Sequence, residues 1–321
     1  MEKDLITIGI TSFNSFKTIK KAIDSAIDQR WINKEILIVD DSSNDGSWEI
    51  IKNYEKYSNI RLFRNPKNAG VAYSRNFIIS NSKGKYIVFF DDDDQSSIYR
   101  LNLQYLNLKV YKNIHEINKP IFCYCKSLKK FQNKKELIFN PPGKDISNKN
   151  VNGKRVAEFI LKGSFKKYYS GYYATCSLMA LRKDFIKCNA FDENFRRSED
   201  TEFVIRSSLK GAHFIGVNKI LVFQNMSYKL NKGFFTELKY TLKMLKKHRS
   251  LFKSKKEYTF EVIWNFLKYK IFKKEFLISI HLFMKLFFLD LPYLIKRIYS
   301  MGFTFKNNLF ILRNYKRKKN L

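Results

Sequence analysis

Acidic residues are scarce in this chain. Only 29 Asp and Glu stand against 61 Lys and Arg in 321 residues, leaving a formal charge of +32. An excess of that size implies partners of negative charge: a nucleotide, a nucleic acid or an anionic membrane surface. The excess is uneven, with about 22 basic and about 5 acidic residues from Asn231 onward. Cysteine is scarce as well, and the spacing of Cys123, Cys125, Cys176 and Cys188 matches no zinc pattern. Buried free thiols in a reducing compartment are expected instead. Met1-Glu2-Lys3-Asp4 runs straight into a strand, so no signal peptide is expected, and the chain should reside on the cytoplasmic side. The sequence has no repeat of fixed period, no glycine-rich phosphate loop after its first strand and no RNA- or DNA-binding module. Nucleic acid is therefore not an expected partner, since the basic residues are spread through a lysine-rich chain.

Apolar residues make up 45% of the chain, enough for a real core. Over the first 110 residues, strand and helix signals alternate. Leu5–Ile10, Ile36–Val39, Ile60–Leu62 and Tyr86–Phe90 are apolar runs of strand length, and Ile19, Ala22, Ile23, Ala26 and Ile27 recur at helical spacing. A helix is expected from Ser47 to Tyr57 with Asp45 or Ser47 as its cap, and another from Gly70 to about Ser80. Continuous apolar strands alternating with helices predict an α/β fold with a mostly parallel central sheet covered on both faces. Residues 126–155 read as an exposed excursion. A short helix is expected at Val156–Leu161, a strand at Tyr172–Leu181, an amphipathic helix ended by Gly211, and a last strand at Ile220–Phe223.

Four consecutive aspartates, Asp91 to Asp94, follow the Tyr86–Phe90 strand. Side by side they repel, and the repulsion grows as water is removed. A hard divalent cation relieves it, and magnesium is usually held by one or two carboxylates plus phosphate oxygens. Ligands in open α/β sheets bind beyond the carboxyl ends of the strands, where Thr11-Ser12-Phe13-Asn14 and Asp40-Asp41 also fall. There Phe13 can stack on a base, and an Asp carboxylate can accept a pyrimidine N–H. Asp40 alone reads as a turn cap. Asn68-Ala69-Gly70 places a tight turn in the same region, and Arg75 can pair with a diphosphate or stand as a surface arginine. A metal-dependent nucleotidyltransferase and a basic nucleic-acid-binding protein are the rival readings.

Together, Ile10-Thr11-Ser12-Phe13-Asn14, Val39-Asp40-Asp41-Ser42-Ser43-Asn44-Asp45-Gly46-Ser47, Asn68-Ala69-Gly70 with Arg75-Asn76, and Phe90 to Asp94 resemble the family 2 glycosyltransferases of the GT-A fold, over residues 5 to 228. The resemblance implies a nucleotide-binding α/β sandwich, dependence on Mn2+ or Mg2+, a UDP-sugar donor and inversion at the anomeric carbon. It implies that Thr11 and Phe13 contact the base, Asp41 reads the pyrimidine, Asn68 and Arg75 lie at the donor, Asp93 with Asp91 holds the metal, and Asp91 or Asp92 faces the ribose or sugar. Arg197-Ser198-Glu199-Asp200 looks like the family's Glu-Asp motif. Asp200 would be the base that deprotonates the acceptor hydroxyl, and Glu199 would hold acceptor or shape the local field. A histidine that many relatives carry after the last core strand is replaced by Gln224-Asn225, while His213 is expected before that strand in a structural role.

The catalytic domain is expected over 1–228 and a basic, aromatic helical region over 229–321. Phe276–Ile295 is almost apolar and near the length of a membrane span. His281, Lys285, Pro292 and Lys296 share one helical stripe, which favours a helix lying in the interface or packed on the protein over one that crosses. The expected setting is peripheral, at the anionic inner face of the plasma membrane, beside a saccharide or lipid-linked acceptor of surface polysaccharide synthesis.

Overall fold

The computed structural model describes residues 4–131, 136–143, 151–163, 171–226 and 233–300. The chain divides into two compact units, one of residues 1–157 with 168–229 and one of 158–167 with 230–321. The domain boundary expected at 228 and 229 falls outside the described residues.

The first unit opens with β1 (Ile6–Ser12), α1 (Ile19–Ile27), β2 (Lys34–Asp40), α2 (Ser47–Lys52), β3 (Ile60–Arg64), α3 (Val71–Asn81) and β4 (Tyr86–Asp91). It continues with β5 (Asp94–Ser96), α4 (Arg100–His115), β6 (Ile121–Phe131), β7 (Glu136–Phe139), α5 (Lys154–Lys162, which runs on into the second unit), β8 (Met179–Leu181), α6 (Arg182–Lys187), α7 (Glu199–Leu209) and β9 (His213–Met226). The strand order is β3-β2-β1-β4-β8-β6-β9-β5, with β7 added to β6. Strands β1 to β4 pair in parallel, β8 runs antiparallel between β4 and β6, β9 is parallel to β6, and β5 is antiparallel to β9. All seven residues of β1 are buried, as expected for parallel strands covered on both faces. At Gly9 a Cβ would come within 2.6 Å of Ile78 Cγ2, so only glycine lets α3 pack this close to β1. Register sets the ends of the strands: Thr11 lies beside Val39 on one side and Asp91 on the other, and Ser12 lies beside Asp40. Three polar segments distant in sequence thus emerge along one edge.

Several local expectations are corrected. Within Tyr172–Leu181 only Met179–Leu181 is strand, and Thr175–Ser177 forms a 3-10 turn. Ser177 turns its hydroxyl back on the Ala174 carbonyl at 2.9 Å, a local bond that competes with a strand ladder. The supposed excursion after residue 126 begins as sheet, because β6 runs to Phe131 and β7 pairs back on it. Lys129 sits in that hairpin with its ammonium over the rings of Phe139 and Tyr172, at 4.7 and 4.6 Å. Residues 132–135 and 144–150 lie outside the described part. The last strand is longer than its apolar run, since β9 pairs with β6 across a bulge at Cys125–Ser127. His213 therefore begins the strand instead of preceding it, and its Nδ1 lies 2.9 Å from the Tyr111 hydroxyl in a structural contact. The helix expected from Ser47 stops at Lys52, and its N-cap is Gly46 instead of Asp45 or Ser47, with Asp45 one residue earlier accepting from the Ser47 N–H at 3.0 Å. All four cysteines are free and buried.

The second unit carries α8 (Phe234–Lys247), α9 (Lys255–Phe272) and α10 (Phe276–Leu289), with helix continuing over residues 291–300. Ser254 caps α9 by accepting from the Glu257 N–H. Phe260, Trp264, Leu267, Leu286 and Leu294 form its core. Glu261, fully buried there, accepts from Arg297 at 2.9 Å and from the Tyr293 hydroxyl at 2.8 Å. Much of α10 faces outward: Phe276, Leu277, Ile280 and Phe288 are 66, 86, 61 and 78% exposed. At about 1.5 Å per residue its 14 residues reach about 21 Å, short of the roughly 30 Å hydrocarbon layer. Among the described residues no helix is long and apolar enough to cross a membrane.

Candidate active site

The edge formed by β1, β2 and β4 is built from carboxylates held by main-chain donors. Asp40, fully buried, accepts from the Ser43 N–H at 3.0 Å and pairs with Arg64 at 3.3 Å, the turn-capping role expected of it. Asp41 organises the next loop. Its Oδ1 accepts from Asn65 Nδ2 and the Ala69 N–H, and its Oδ2 from the Gly70 N–H, each at 2.8 Å. Gly70 has φ +96°, a conformation that glycine adopts without strain and that aims its N–H at Asp41. Asn65 carried no motif in the sequence, yet it ties Asp41 to Ser74 of α3. Asn68 receives two bonds from Arg196, at 2.6 and 3.1 Å. Thr11 is buried beside Asp91, whereas Phe13 is 46% exposed. The Phe13 N–H donates to Asp92 Oδ2 at 2.9 Å.

The four aspartates do not act alike. Asp93 is exposed on the turn, Asp91 and Asp92 are partly buried, and Asp94 is buried. Burial, opposed by the Phe13 N–H and reinforced by Asp93 and Asp91, pushes the Asp92 carboxyl up to about 7. Burial, with Asp91 and Asp93 close by, pushes Asp94 well above the usual carboxylate range. Asp91, Asp94 and Cys176 bring ligand atoms to within 4.8 Å of one another. Gln224 Nε2 donates to Asp94 at 2.9 Å and lies 3.5 Å from Cys176 Sγ, while Gln224 Oε1 is a buried acceptor without a hydrogen-bond partner. This crowding of desolvated carboxylates fits a divalent cation. Beneath the turn, fully buried Arg100 donates to the Phe89 carbonyl at 3.0 Å and to the Ser96 hydroxyl at 2.9 Å, and so grips the chain on both sides of the aspartates. The roles of Cys176 and Arg100 had no local signal, because the contacts that define them join distant segments, whereas Gln224 stood out only as the replacement of a histidine.

Arg75 joins this edge to α7. It is only 5% exposed, and its two terminal nitrogens bind different elements: Nη1 reaches Glu199 Oε1 at 2.7 Å and Nη2 reaches Asp91 Oδ1 at 3.2 Å. The Phe191 ring lies 5.5 Å from the guanidinium, and Asn76 holds the main chain of Phe191 through both its amide atoms. Arg75 is thus neither a surface arginine nor free, since its terminal nitrogens already serve two carboxylates. The two acidic clusters consequently share one arginine. Asp200 stands beside Glu199 at the start of α7, where the helix dipole favours negative charge. Burial and then Glu199 raise its carboxyl to about 6 against the pull of Arg75 and the Thr201 N–H. Asn14, Ser42 and Ser198 all have positive φ, at 51, 64 and 59°. Each adjoins a candidate residue, and sparsely populated backbone of this kind clusters at functional sites.

Comparison with known proteins places the chain in a family. A family model described as glycosyl transferase family 2 matches residues 7–188. The chain is 28% identical over 225 residues to a cholesterol galactosyltransferase of Borreliella burgdorferi, covering 70% of this chain and 56% of that protein. It is 37% identical over 123 residues to the Escherichia coli UDP-Glc:alpha-D-GlcNAc-diphosphoundecaprenol beta-1,3-glucosyltransferase WfaP, covering 38% of this chain and 45% of the other. The chain thus spans about half the length of these curated relatives. Among solved structures, Staphylococcus aureus TarS 1-349 in complex with UDP-GlcNAc is similar at a TM-score of 0.54 and 15% identity, over 83% of this chain and 73% of that one. That likeness shows a shared GT-A fold, and with the family match over more than half its length the chain belongs to glycosyl transferase family 2.

Proposed function

We propose that this glycosyltransferase moves a sugar, with inversion, from a UDP-sugar to a hydroxyl of a saccharide or lipid-linked acceptor in the synthesis of a bacterial surface polysaccharide or glycolipid. The observation that carries the reading is the double ion pair of Arg75, which holds Asp91 and Glu199 a guanidinium apart. Inverting displacement needs that proximity, with the leaving diphosphate on one side of the anomeric carbon and a base on the other. The TarS complex with UDP-GlcNAc supports a uridine donor. The names of the two relatives, one acting on cholesterol and one on a diphosphoundecaprenol sugar, support a lipid acceptor.

In this reading the exposed ring of Phe13 stacks on the base beside Thr11. Asp41 has a carboxylate oxygen bonded only to the Gly70 N–H, with a lone pair left for the pyrimidine N–H. Asn68 and Arg75 border the donor, and Asp92 positions the Phe13 loop. Asp91 and Asp93 would hold Mn2+ or Mg2+, which supplies positive charge at the departing diphosphate when bound. Asp200 takes the acceptor proton, and Glu199 keeps Arg75 in place beside it. A screen of UDP-sugars for divalent-cation-dependent UDP release tests the donor, and release of pyrophosphate instead would favour a nucleotidyltransferase. Asp200→Asn should bind UDP normally and lose transfer. A parallel loss of UDP binding would make Asp200 structural.

The outward apolar face of α10 with its flanking Lys273, Lys274, Lys285 and Lys296 supports peripheral attachment to the anionic inner leaflet of the plasma membrane. Leu277→Glu with Phe288→Glu should weaken flotation with phosphatidylglycerol vesicles. Unchanged flotation would remove α10 from any membrane contact.

A further inference from the structure

We infer that the first unit carries a second anion site, at the end of the sheet opposite the aspartates, which takes polyanions that present three or more phosphate groups together. A cavity of about 440 Å³ opens where β4 begins, within the size range of small-ligand pockets. Six of its eleven lining residues are basic: Lys83, Lys85, Lys109, Lys112, Arg182 and Lys183. Basic residues are 61 of 321 in the whole chain, so about two would be expected from composition. No lining residue is acidic.

Countercharge around the cavity is sparse. Asp4 serves Lys85 at 2.9 Å and Lys109 at 3.6 Å. Asp184 faces Lys112 and Lys183, but it is buried and accepts from the Ile121 N–H. Glu35, also buried, accepts from the Lys83 main chain and pairs with Arg61. Arg182 spends Nε and one terminal nitrogen on the carbonyls of Ile79 and Ser80, which fixes its guanidinium at the rim. Among the described residues no carboxylate lies at ion-pair distance from Lys83, Lys112 or Lys183. Concentrated positive charge over low-dielectric walls attracts polyanions. Here the floor includes Tyr86 and Leu181, which are register partners in β4 and β8. Tyr86 is the first residue of β4 and Asp91 the last, so the cavity lies about 17 Å from the aspartates at about 3.3 Å per residue. A donor diphosphate at Asp91 does not reach it.

The phosphates can be free, as in a polyphosphate or nucleoside triphosphate, or presented side by side on a membrane surface. Calorimetry with inorganic tripolyphosphate on the full chain, without divalent cation, tests the first source, and sedimentation with phosphatidylglycerol vesicles tests the second. Lys112→Glu/Lys183→Glu should weaken one or both by about tenfold, equivalent to about 1.4 kcal/mol. The same charge change at exposed Lys21 and Lys56 should have little effect. UDP binding should be unchanged in both variants. Loss with tripolyphosphate places the source in solution, and loss with vesicles alone places it in the membrane. The site is refuted if wild type binds neither probe, or if the two double variants weaken binding equally. Because no readout is transfer, a failed donor screen leaves this result standing, and the reverse holds too.

Discussion

Replacing Glu199 by glutamine is expected to move the acid limb of the transfer rate to lower pH. Asp200 must be ionised to accept the proton, so the wild-type rate should rise through about pH 6 and level off above it. Burial is the main cause of that raised value, Glu199 is the next, and Arg75 opposes both. Glu199→Gln removes a neighbouring negative charge and loosens a competitor for the guanidinium. Both changes favour the Asp200 carboxylate. Two unit charges about 6 Å apart at an effective dielectric constant near 20 interact by roughly 2.8 kcal/mol, or about two pH units as a ceiling. Partial exposure of both side chains screens this to about one unit downward.

Arg75→Met acts with the opposite sign. It strips away the cation that stabilises the Asp200 carboxylate, so its acid limb should move upward. The assay is kcat/KM for UDP release between about pH 5 and pH 9, with circular dichroism to establish that each variant is folded. An upward shift in Glu199→Gln, a downward shift in Arg75→Met, or coincident limbs in all three proteins would refute the assignment of Asp200 as the base in this electrostatic setting.

Three further outcomes are expected. Asp41→Ala strands the donors of Asn65, Ala69 and Gly70, and should lower stability to urea by about 3 kcal/mol while weakening UDP binding. Asp93→Asn should reduce Mn2+ affinity measured by electron paramagnetic resonance more than Asp94→Asn does, and the reverse order would move the cation to the inner set of Asp91, Asp94 and Cys176. Glu202→Ala leaves Arg206 without its buried partner, at 3.0 Å in the folded chain, and should lower stability by about 3 to 5 kcal/mol in chemical denaturation; a loss under about 1 kcal/mol would mean that Arg206 is held by the Cys188 and Ala190 carbonyls alone.

The parallel half of the sheet was legible in the sequence because its signals are local. Ile36–Val39 and Tyr86–Phe90 are continuous apolar runs and Ile6–Ile10 is interrupted by a polar residue only at Thr7, as strands buried on both faces require. Their polar ends mark the ligand edge, since each run stops where buried side chains change from apolar to hydrogen-bonding, as at Thr11 and Asp40. The second half of the sheet was less legible. The strand β5 is three residues long and β8 is another three. Such short strands are held by partners far along the chain, Asp94 by Gln224 and Leu181 by Tyr86, and no periodicity can develop within them.

The same distinction separates the parts of the candidate site. Motifs named the carboxylates, but which neighbours hold each one depends on contacts between residues 124 and 130 positions apart, as in Arg75 with Glu199 and Asp94 with Gln224. The apolar tail is the instructive intermediate case. Its hydropathy alone suggested a membrane span, while the stripe of His281, Lys285, Pro292 and Lys296 carried the opposing signal. Asp290 accepts from the Tyr293 N–H at 3.0 Å and starts a new helix, and a proline in a first turn forfeits no hydrogen bond. Two residues therefore divide one apolar stretch into two short helices. A short helix with exposed Leu277 and Phe288 can lie along a membrane surface but is too short to cross it, so the break at Asp290 determines which of those two roles α10 can have.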